Sequence, residues 1–554
     1  MKKLGQLIYN EWLKQFKKLG IKLFFISVLG LAVLLPLLLN WVEQQDLSRF
    51  TYFESEITHI ETELNRYENT EGNVSKLAMP LLEAQLEVLQ PLKDITDWQD
   101  YRVDLYWEYD ELLRQQFVYE YEKTYTIEEI ADSVYYGDQY VVEEMLDVDD
   151  EKKEIIKTDI AQQLKRVMAI LESNRYADYL VSEYETVKVS LVNTKEVVTQ
   201  LEKELAVAKG DQAIAELELS LVIEQDNVIR YERLIELYDY VMEHGMSWDQ
   251  SSWQMKTIQD IIDRTNYIDF TAKTEAQHEV QHGDYLKMYP YEEYLRTYEA
   301  DLKAYEEDAL KSMYSLERNI PQLMFTSDAR TSVNALFEVF VVIGILVSIM
   351  VGGAMVSQEF STGTIRLLLI RPVTRTKVLL AKMMTTLLLA VVLLTLGFIG
   401  LVIASGVVYG FETLAIPVLT VVNDVVVEQA FSYYLMLKLS AGFASLLFMA
   451  MLALMLSTIL RNTAVAVALS TIVYLVAFPL VFILASFEVK GLGSTILPYI
   501  NQSFLSLSGN FVTILETEYG LTLNPTLGMI QLLVFAILFA LISWWHFNKT
   551  DINN

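Results

Sequence analysis

One five-residue motif in this 554-residue chain has the spacing of a zinc site. His278-Glu279-Val280-Gln281-His282 reads H-E-x-x-H, which on a helix places two imidazoles on one face for the metal and a glutamate beside them as general base. The surrounding sequence is polar, and the glycine that follows the motif weakens the helix. Solvated surface histidines are the favoured interpretation. His278 and His282 are weak metal candidates only, and no metal site is predicted.

A run of carboxylates offers calcium chemistry instead. Its members are Asp147, Asp149, Asp150, Glu151 and Glu154. No glycine stands where a helix–loop–helix calcium site needs its sharp turn. The run is therefore interpreted as a solvated acidic bend.

Two ionisable side chains, Glu338 and Lys438, lie inside long apolar segments. Each is within about two helical turns of the predicted outer end of its segment, so it can extend its charged group to the membrane surface. If they face the interior of a helix bundle instead, Glu338 and Lys438 line a substrate path or its outer mouth.

The segment from Glu359 to Lys382 is rich in arginine and contains Gly363 and Pro372. These residues predict a short amphipathic helix followed by a turn. A basic interfacial segment that only fixes membrane topology is one interpretation. A docking element for another protein is the other.

The elements that position these residues follow from an uneven distribution of charge. The chain has a net charge of −30 and yet a mean hydropathy of +0.25. Residues 42–332 contain 63 acidic and 28 basic residues, whereas the remainder contains 10 acidic and 15 basic residues. A polar acidic domain is thus inserted into an apolar one. The chain contains no cysteine, which excludes disulfides and thiolate metal sites and is typical of an exposed domain in a Gram-positive bacterium.

Six apolar runs are long enough to cross a bilayer, which takes about 20 helical residues. The predicted spans are 21–41, 333–355, 378–409, 431–460, 463–485 and 529–546. The first run is too long for a signal peptide and no cleavage site follows it, so an uncleaved anchor is favoured.

Basic residues indicate the orientation of these spans. They follow the N-terminus and fill the second-to-third span connection, and Arg461 and Lys549 lie at the same end. The positive-inside rule then places both termini in the cytoplasm of a multi-pass plasma-membrane protein and residues 42–332 outside the cell. The predicted domains are 1–41, the outer domain 42–332, and 333–554 with a cytoplasmic loop 358–377 and an outer segment 486–527.

Residues 42–332 are predicted to be mostly helical and coiled-coil-like. Apolar residues recur at heptad-like spacing through 186–243, interrupted at Lys209-Gly210-Asp211. An antiparallel helical hairpin is expected there. The predicted fold class is therefore an all-α membrane protein with six spans and a large helical outer domain between the first and second.

The arginine-rich segment resembles the cytoplasmic signature of type-2 ABC exporter permeases, in which an acidic residue precedes Gly-Thr, a Leu-rich turn, a proline and basic residues. The six-span layout and the N-terminal helix containing Asn10-Glu11-Trp12-Leu13-Lys14 match as well. The matching residues are Glu359, Gly363, Thr364, Arg366, Pro372, Arg375 and Lys382. The large outer domain departs from the family pattern.

The resemblance implies a permease subunit whose first cytoplasmic loop docks into a separate cytosolic ATPase. Arg366 and Arg375 would pair with ATPase carboxylates, and Glu359 would orient the loop. The chain has no G-x-x-x-x-G-K-[ST] loop, so ATP and Mg²⁺ are expected on the partner subunit, with no cofactor and no catalysis in this chain. A second permease copy or paralogue and membrane lipid are the other expected partners, and no nucleic acid is expected.

The substrate implied by the resemblance is amphipathic, such as an antimicrobial peptide or a lipid-like molecule, which makes export or resistance the expected role. Two alternatives remain open from the residues. The chain could be a surface receptor or envelope scaffold whose outer helices bind a partner. It could also be a membrane-anchored zinc protease that uses His278 and His282.

Overall fold

The structure is a computed structural model of the chain and is nearly all α-helical. The residues that it describes are 2–44, 53–70, 72–96, 100–286, 290–364, 373–487, 489–501, 512, 514–516 and 519–549. Arg366 and Pro372 lie outside the described residues.

The first two helices are α1 (Lys2–Phe16) and α2 (Leu19–Gln44). The acidic segment 42–332 contains the next helices: α3 (Glu54–Glu68), α4 (Asn73–Leu89), α5 (Tyr101–Tyr121), α6 (Ile127–Val134), α7 (Gln139–Leu146), α8 (Asp150–Ser173), α9 (Tyr176–Val207), α10 (Asp211–His244), α11 (Trp253–Tyr267), α12 (Glu275–His282) and α13 (Tyr291–Arg318). The C-terminal part contains α14 (Ala329–Met355), α15 (Ser357–Ser361), α16 (Arg375–Tyr409), α17 (Phe431–Leu460), α18 (Thr463–Ser486) and α19 (Pro525–Lys549).

Six helices are long and apolar enough to cross a membrane, which confirms the predicted number and order of spans within the described residues. They are α2, α14 with its continuation α15, α16, α17, α18 and α19. The helices begin and end within a few residues of the predicted bounds, because the apolar run itself sets the length of a spanning helix.

Close glycine contacts hold these helices together. A Cβ atom at Gly353 on α14 would lie 2.6 Å from Val467 Cγ2 on α18, and one at Gly400 on α16 would lie 3.0 Å from Ala32 Cβ on α2. Small residues allow helix backbones to approach in a medium that supplies no hydrophobic driving force between helices. A larger side chain at Gly353 would separate α14 from α18.

A β-hairpin joins α16 to α17. Strands β1 (Val418–Val422) and β2 (Val425–Gln429) pair antiparallel, with Val422 opposite Val425. The two residues between them, Asn423 and Asp424, have φ of 50° and 59°, which fits the type I′ turn that matches strand twist. These strands were not predicted from the sequence, although two valine-rich runs flanking Asn-Asp are a recognisable signal.

The described chain forms two compact units. One, here called the membrane unit, consists of Met1–Trp41, Leu201–Asp226 and Thr257–Asn554; the other, the helical unit, consists of Val42–Gln200 and Asn227–Lys256. Within the helical unit, α9 and α10 are antiparallel, since Lys195 pairs with Glu232 at 2.8 Å and Tyr184 bonds to Asp239. The predicted hairpin and its break are confirmed.

The acidic bend in the helical unit has a structural role. The Asp149 side chain accepts a hydrogen bond from the Lys152 backbone N–H at 2.8 Å and so caps the N-terminus of α8. These hydrogen bonds to its charged form lower the pKa of Asp149 below the ordinary aspartate value.

Candidate functional site

Helix α1 lies against the starting end of α16. Its aromatic residues Trp12 and Phe16 stack at 5.9 Å, and Phe16 meets Phe25 of α2 at 5.2 Å. The Thr385 hydroxyl of α16 lies 3.4 Å from the Ile8 carbonyl oxygen. An amphipathic helix buries its apolar face in this way and leaves its polar side chains at the edge of the contact.

A four-residue ion cluster fills that edge. Lys382 Nζ on α16 lies 2.7 Å from Glu359 Oε1 on α15 and 3.3 Å from Glu11 Oε2 on α1. Lys14 of α1 adds a second ammonium at 2.6 Å from Glu359 Oε1. Lys382 is 0% exposed and Glu359 is 3% exposed, so three separate helices are joined by buried charge.

The backbone around Glu359 is fixed by further hydrogen bonds. Lys382 also donates to the Met355 carbonyl at 3.2 Å. The backbone N–H of Ser357 donates to Ser457 Oγ of α17 at 3.0 Å, and the Ser357 hydroxyl lies 2.7 Å from Thr463 Oγ1 of α18. The junction between α14 and α15 is therefore tied to four neighbouring helices. Such support holds the Glu359 carboxylate in one orientation.

The cost of burying these charges explains why they are arranged as a cluster. An isolated buried ion loses its hydration, and removing one partner of a buried pair leaves the other uncompensated. Glu359 has two ammonium partners, but its second oxygen, Oε2, is buried without a hydrogen-bond partner among the described residues. The cluster is well compensated in charge and incompletely hydrogen-bonded.

The predicted coupling residues fall into three groups. Glu359 and Lys382 lie in the ion cluster and face the interior of the membrane unit. Gly363, with φ of 70°, and Thr364 are exposed where the loop leaves α15. Arg375 begins α16 and its guanidinium lies 3.4 Å from the Asn548 carbonyl of α19.

Burial of Lys382 and Glu359 was not foreseen from the sequence, and neither was the part played by Glu11 and Lys14. A glutamate within an otherwise lysine-rich amphipathic helix is the one signal that could have suggested a partner for it. The partner itself, Lys382, is 371 positions away in the chain.

A second group of polar side chains lies inside the opposite half of the membrane unit. Lys438 is 3% exposed, and its Nζ donates to Asn334 Oδ1 at 2.5 Å and lies 4.5 Å from the centre of the Tyr434 ring. Tyr434 also donates to Asn334 Oδ1, at 3.1 Å. Glu338 is half-buried and interacts electrostatically with Lys438. Lys438 thus faces the helix bundle and does not extend to the surface.

The zinc motif occupies a different environment from the one expected. His278 is 1% exposed; its ring stacks on Tyr294 at 4.9 Å and lies 4.3 Å from the tilted ring of His282. The expected surface position is therefore wrong for His278, because tyrosines of the following helix cover it. Burial, His278 and Lys273 lower the pKa of His282. No group of three metal-ligating side chains occurs among the described residues.

Comparison with known proteins relates most of the chain to one family. Residues 150–552 match the sequence profile of the ABC-2 family transporter protein family. The uncharacterized protein YhcI of Bacillus subtilis (strain 168) is 31% identical over 257 residues, which cover 45% of this chain and 77% of YhcI. The uncharacterized membrane protein YdbK of the same organism is 28% identical over 205 residues, 37% of this chain and 76% of YdbK. No solved structure matches the chain.

The family match covers well over half of the chain and includes five of the six spanning helices. Membership supports a permease role in an ABC transporter and implies a cytosolic ATPase partner. With six apolar helices of spanning length among its described residues, this chain belongs to the ABC-2 transporter family of multi-pass membrane proteins.

Proposed function

We propose that this chain is the permease of an ATP-driven exporter, with residues 358–377 as the element that receives force from the ATPase. The observation that carries the proposal is the buried ion cluster of Glu11, Lys14, Glu359 and Lys382. It lies directly beside the exposed start of the 358–377 loop.

The cluster supplies a physical route for coupling. A partner that moves the loop displaces α15, and α15 is bound by charge to α1 and α16 and by hydrogen bonds to α17 and α18. Rigid packed elements transmit such a displacement because they switch between discrete arrangements and do not deform continuously. Glu359 and Lys382 are positioning residues in this scheme, while Arg366 and Arg375 contact the ATPase.

The proposed orientation follows from the distribution of charge. Lys14, Lys18, Lys377, Lys382 and Arg461 gather at one end of the membrane unit, the end typical of the cytoplasmic face. Both termini are then cytoplasmic and residues 42–332 extracellular. ATP and Mg²⁺ are bound by the partner, and a second permease completes the transporter.

An amphipathic cargo fits the acidic outer region and the largely apolar path. Residues 42–332 carry a large excess of carboxylates, which attracts cationic molecules at low salt. An antimicrobial peptide or a lipid-like molecule has the required apolar part. Transport of either would make this a resistance or export system.

The test is reconstitution of the chain with the ATPase encoded beside its gene, followed by measurement of ATP hydrolysis and substrate movement. R366A and R375A should lower transport-coupled hydrolysis about tenfold, the effect of losing a charged hydrogen bond of roughly 1.4 kcal/mol. K17A removes an exposed charge at the same end and is the matched control.

Unchanged coupling in the double variant R366A/R375A would remove the 358–377 loop from the mechanism. Failure of the wild-type chain to associate with any ABC ATPase would overturn the exporter itself. Expression and helicity of every variant are checked by circular dichroism, so that misfolding is not read as uncoupling.

A further inference from the structure

A group of six polar side chains lies inside the half of the membrane unit that carries the β-hairpin. They come from three spanning helices and from the segment after α18: Asn334, Glu338, Tyr434, Lys438, Tyr474 and Asn501. Lys438 is seven residues from the start of α17 and Glu338 nine from the start of α14. At 1.5 Å per residue both lie about 10–14 Å along an apolar span.

Helices α14 and α17 begin at the same end of the unit. The Arg330 guanidinium, near the start of α14, donates to the Pro417 carbonyl at 3.1 Å, and residue 417 precedes the hairpin that leads into α17. Lys438 and Glu338 are therefore at comparable depth. An ionisable pair at such a depth is costly in an apolar medium and marks a functional site.

Lys438 has a neutral hydrogen-bond acceptor where Lys382 has carboxylates. Its ammonium donates to the amide oxygen of Asn334, and that oxygen already accepts the Tyr434 hydroxyl. The charge is balanced by Glu338, whose carboxylate also interacts with the neighbouring Tyr474. Glu338 is one helical turn beyond Asn334 on α14, so it lies on the helix face that carries the acceptor of Lys438.

Asn501 adds a buried amide oxygen beside the backbone of Tyr474. Its Nδ2 donates to the Tyr474 carbonyl at 3.1 Å, which fixes the side chain halfway along α18. Asn501 is 7% exposed, and its Oδ1 is buried without a hydrogen-bond partner among the described residues. A buried acceptor left without a donor costs about 1–3 kcal/mol, so a donor is expected at this position in another state of the protein.

We propose that these residues form a membrane-embedded site for a zwitterionic phosphate–ammonium head, such as that of an aminophospholipid. Lys438 Nζ binds the phosphate, Glu338 binds the ammonium, and Asn501 Oδ1 accepts a second ammonium proton. The neutral acceptor of Lys438 can be exchanged for phosphate without leaving a carboxylate unpaired. This site deepens the proposed function by naming the cargo's polar part, and it rests on that function for its role in transport.

Binding to the purified full chain, without any ATPase, tests the site. The probes are a short-chain phosphatidylethanolamine, phosphatidic acid of the same chain length, an alkylamine and water-soluble glycerophosphoethanolamine. The wild-type chain should prefer phosphatidylethanolamine over phosphatidic acid and over the amine, because only the zwitterion satisfies both charges.

Two substitutions separate the two ends of the head, and a third serves as a control. K438M should weaken both phosphate-bearing lipids about tenfold or more and leave the amine unchanged. E338Q should weaken phosphatidylethanolamine to the level of phosphatidic acid. K490M removes an exposed lysine of the segment after α18 and should change nothing.

Unchanged preference for phosphatidylethanolamine in E338Q would overturn the proposal. If K438M does not fold, the E338Q result by itself tests the proposal. If glycerophosphoethanolamine also binds and E338Q weakens its binding, the site is supported and recognition is assigned to the head alone. If only the lipid binds in this way, the site is supported with the acyl chains as part of the ligand. The binding assay contains no ATPase, so absence of the lipid preference in the wild-type chain rejects only the site. Intact lipid binding without ATP-driven transport in the reconstituted system rejects the exporter function.

Discussion

Lys382 in the membrane unit is buried and Glu183 in the helical unit is half-buried, and their surroundings differ. Lys382 meets two carboxylates, at 2.7 and 3.3 Å. Glu183 lies near the carboxylates of Glu108 and Asp104, with Arg166 as the compensating cation. Burial, together with Glu108, raises the pKa of Glu183 to about 6.

The difference shows two ways of accommodating buried charge. At Lys382, the charge is neutralised by carboxylates from two other helices, so the ion also joins three elements. In the helical unit, a buried carboxyl can be neutralised by a proton, which water supplies freely. Lys438 lies between these cases, because its direct acceptor is a neutral amide.

The largest expected effect is that of K382M. The substitution leaves Glu359 and Glu11 without their shared ammonium, and breaking a buried pair in this way costs about 3–5 kcal/mol. K438M should cost less, about 1–3 kcal/mol, because the direct acceptor of Lys438 is a neutral amide oxygen that keeps the Tyr434 hydroxyl as a donor. Thermal unfolding of the two purified variants gives the comparison directly.

K377M is the matched control, since Lys377 is exposed on the same helix as Lys382. The double variant E359Q/K382M should recover part of the loss by removing the unpaired carboxylate. Equal destabilisation by K382M and K438M would abolish the distinction between the two lysine sites.

The second effect is that of N334L, which removes the acceptor shared by Lys438 and Tyr434. Two buried donors then lose their partner, at a cost of about 2 kcal/mol. N334D keeps an acceptor and should retain wild-type stability in the same thermal assay. A neutral outcome for N334L would mean that Lys438 is satisfied by Glu338 alone.

The third effect depends on pH. Because the pKa of Glu183 is raised to about 6 in the folded state, folding favours its protonated form, and stability increases as pH falls from about 7 towards the ordinary glutamate value. E183Q should therefore stabilise the α9 region at pH 7 by about 1–2 kcal/mol. The gain should vanish near pH 4.

Hydrogen exchange of α9 amides in the full chain measures this stability locally. E172Q, at an exposed position of α8, is the control. A pH-independent effect of E183Q would assign its cause to packing instead of charge.

The smallest effect is expected from K14M. The Lys14 side chain is 48% exposed and Glu359 keeps its contact with Lys382, so the loss should stay below about 1 kcal/mol. Coupling to the ATPase should suffer more than stability, since Lys14 is the link between α1 and α15. A loss as large as that of K382M would show that Lys14 provides the main compensation of Glu359.

Local patterns were sufficient for much of the fold. The six spans follow from the length of apolar runs, and the α9–α10 hairpin follows from a heptad-like pattern broken at Gly210. The β-hairpin was missed, because its short valine runs are apolar and adjoin two spanning helices. Arg366 and Pro372 lie outside the described residues, so their role stays a prediction.

The sequence by itself determined the membrane class, the number of spans and the family, because apolar length and a local motif are read without knowing which residues meet. Only the tertiary structure decided which groups lie beside each charged side chain. It brought Glu11 to Lys382 across 371 positions, buried His278 under Tyr294, and placed Asn334 beside Lys438. The physical reason is that the energy of an ion depends on distance and burial, and neither is encoded in the spacing of residues along the chain.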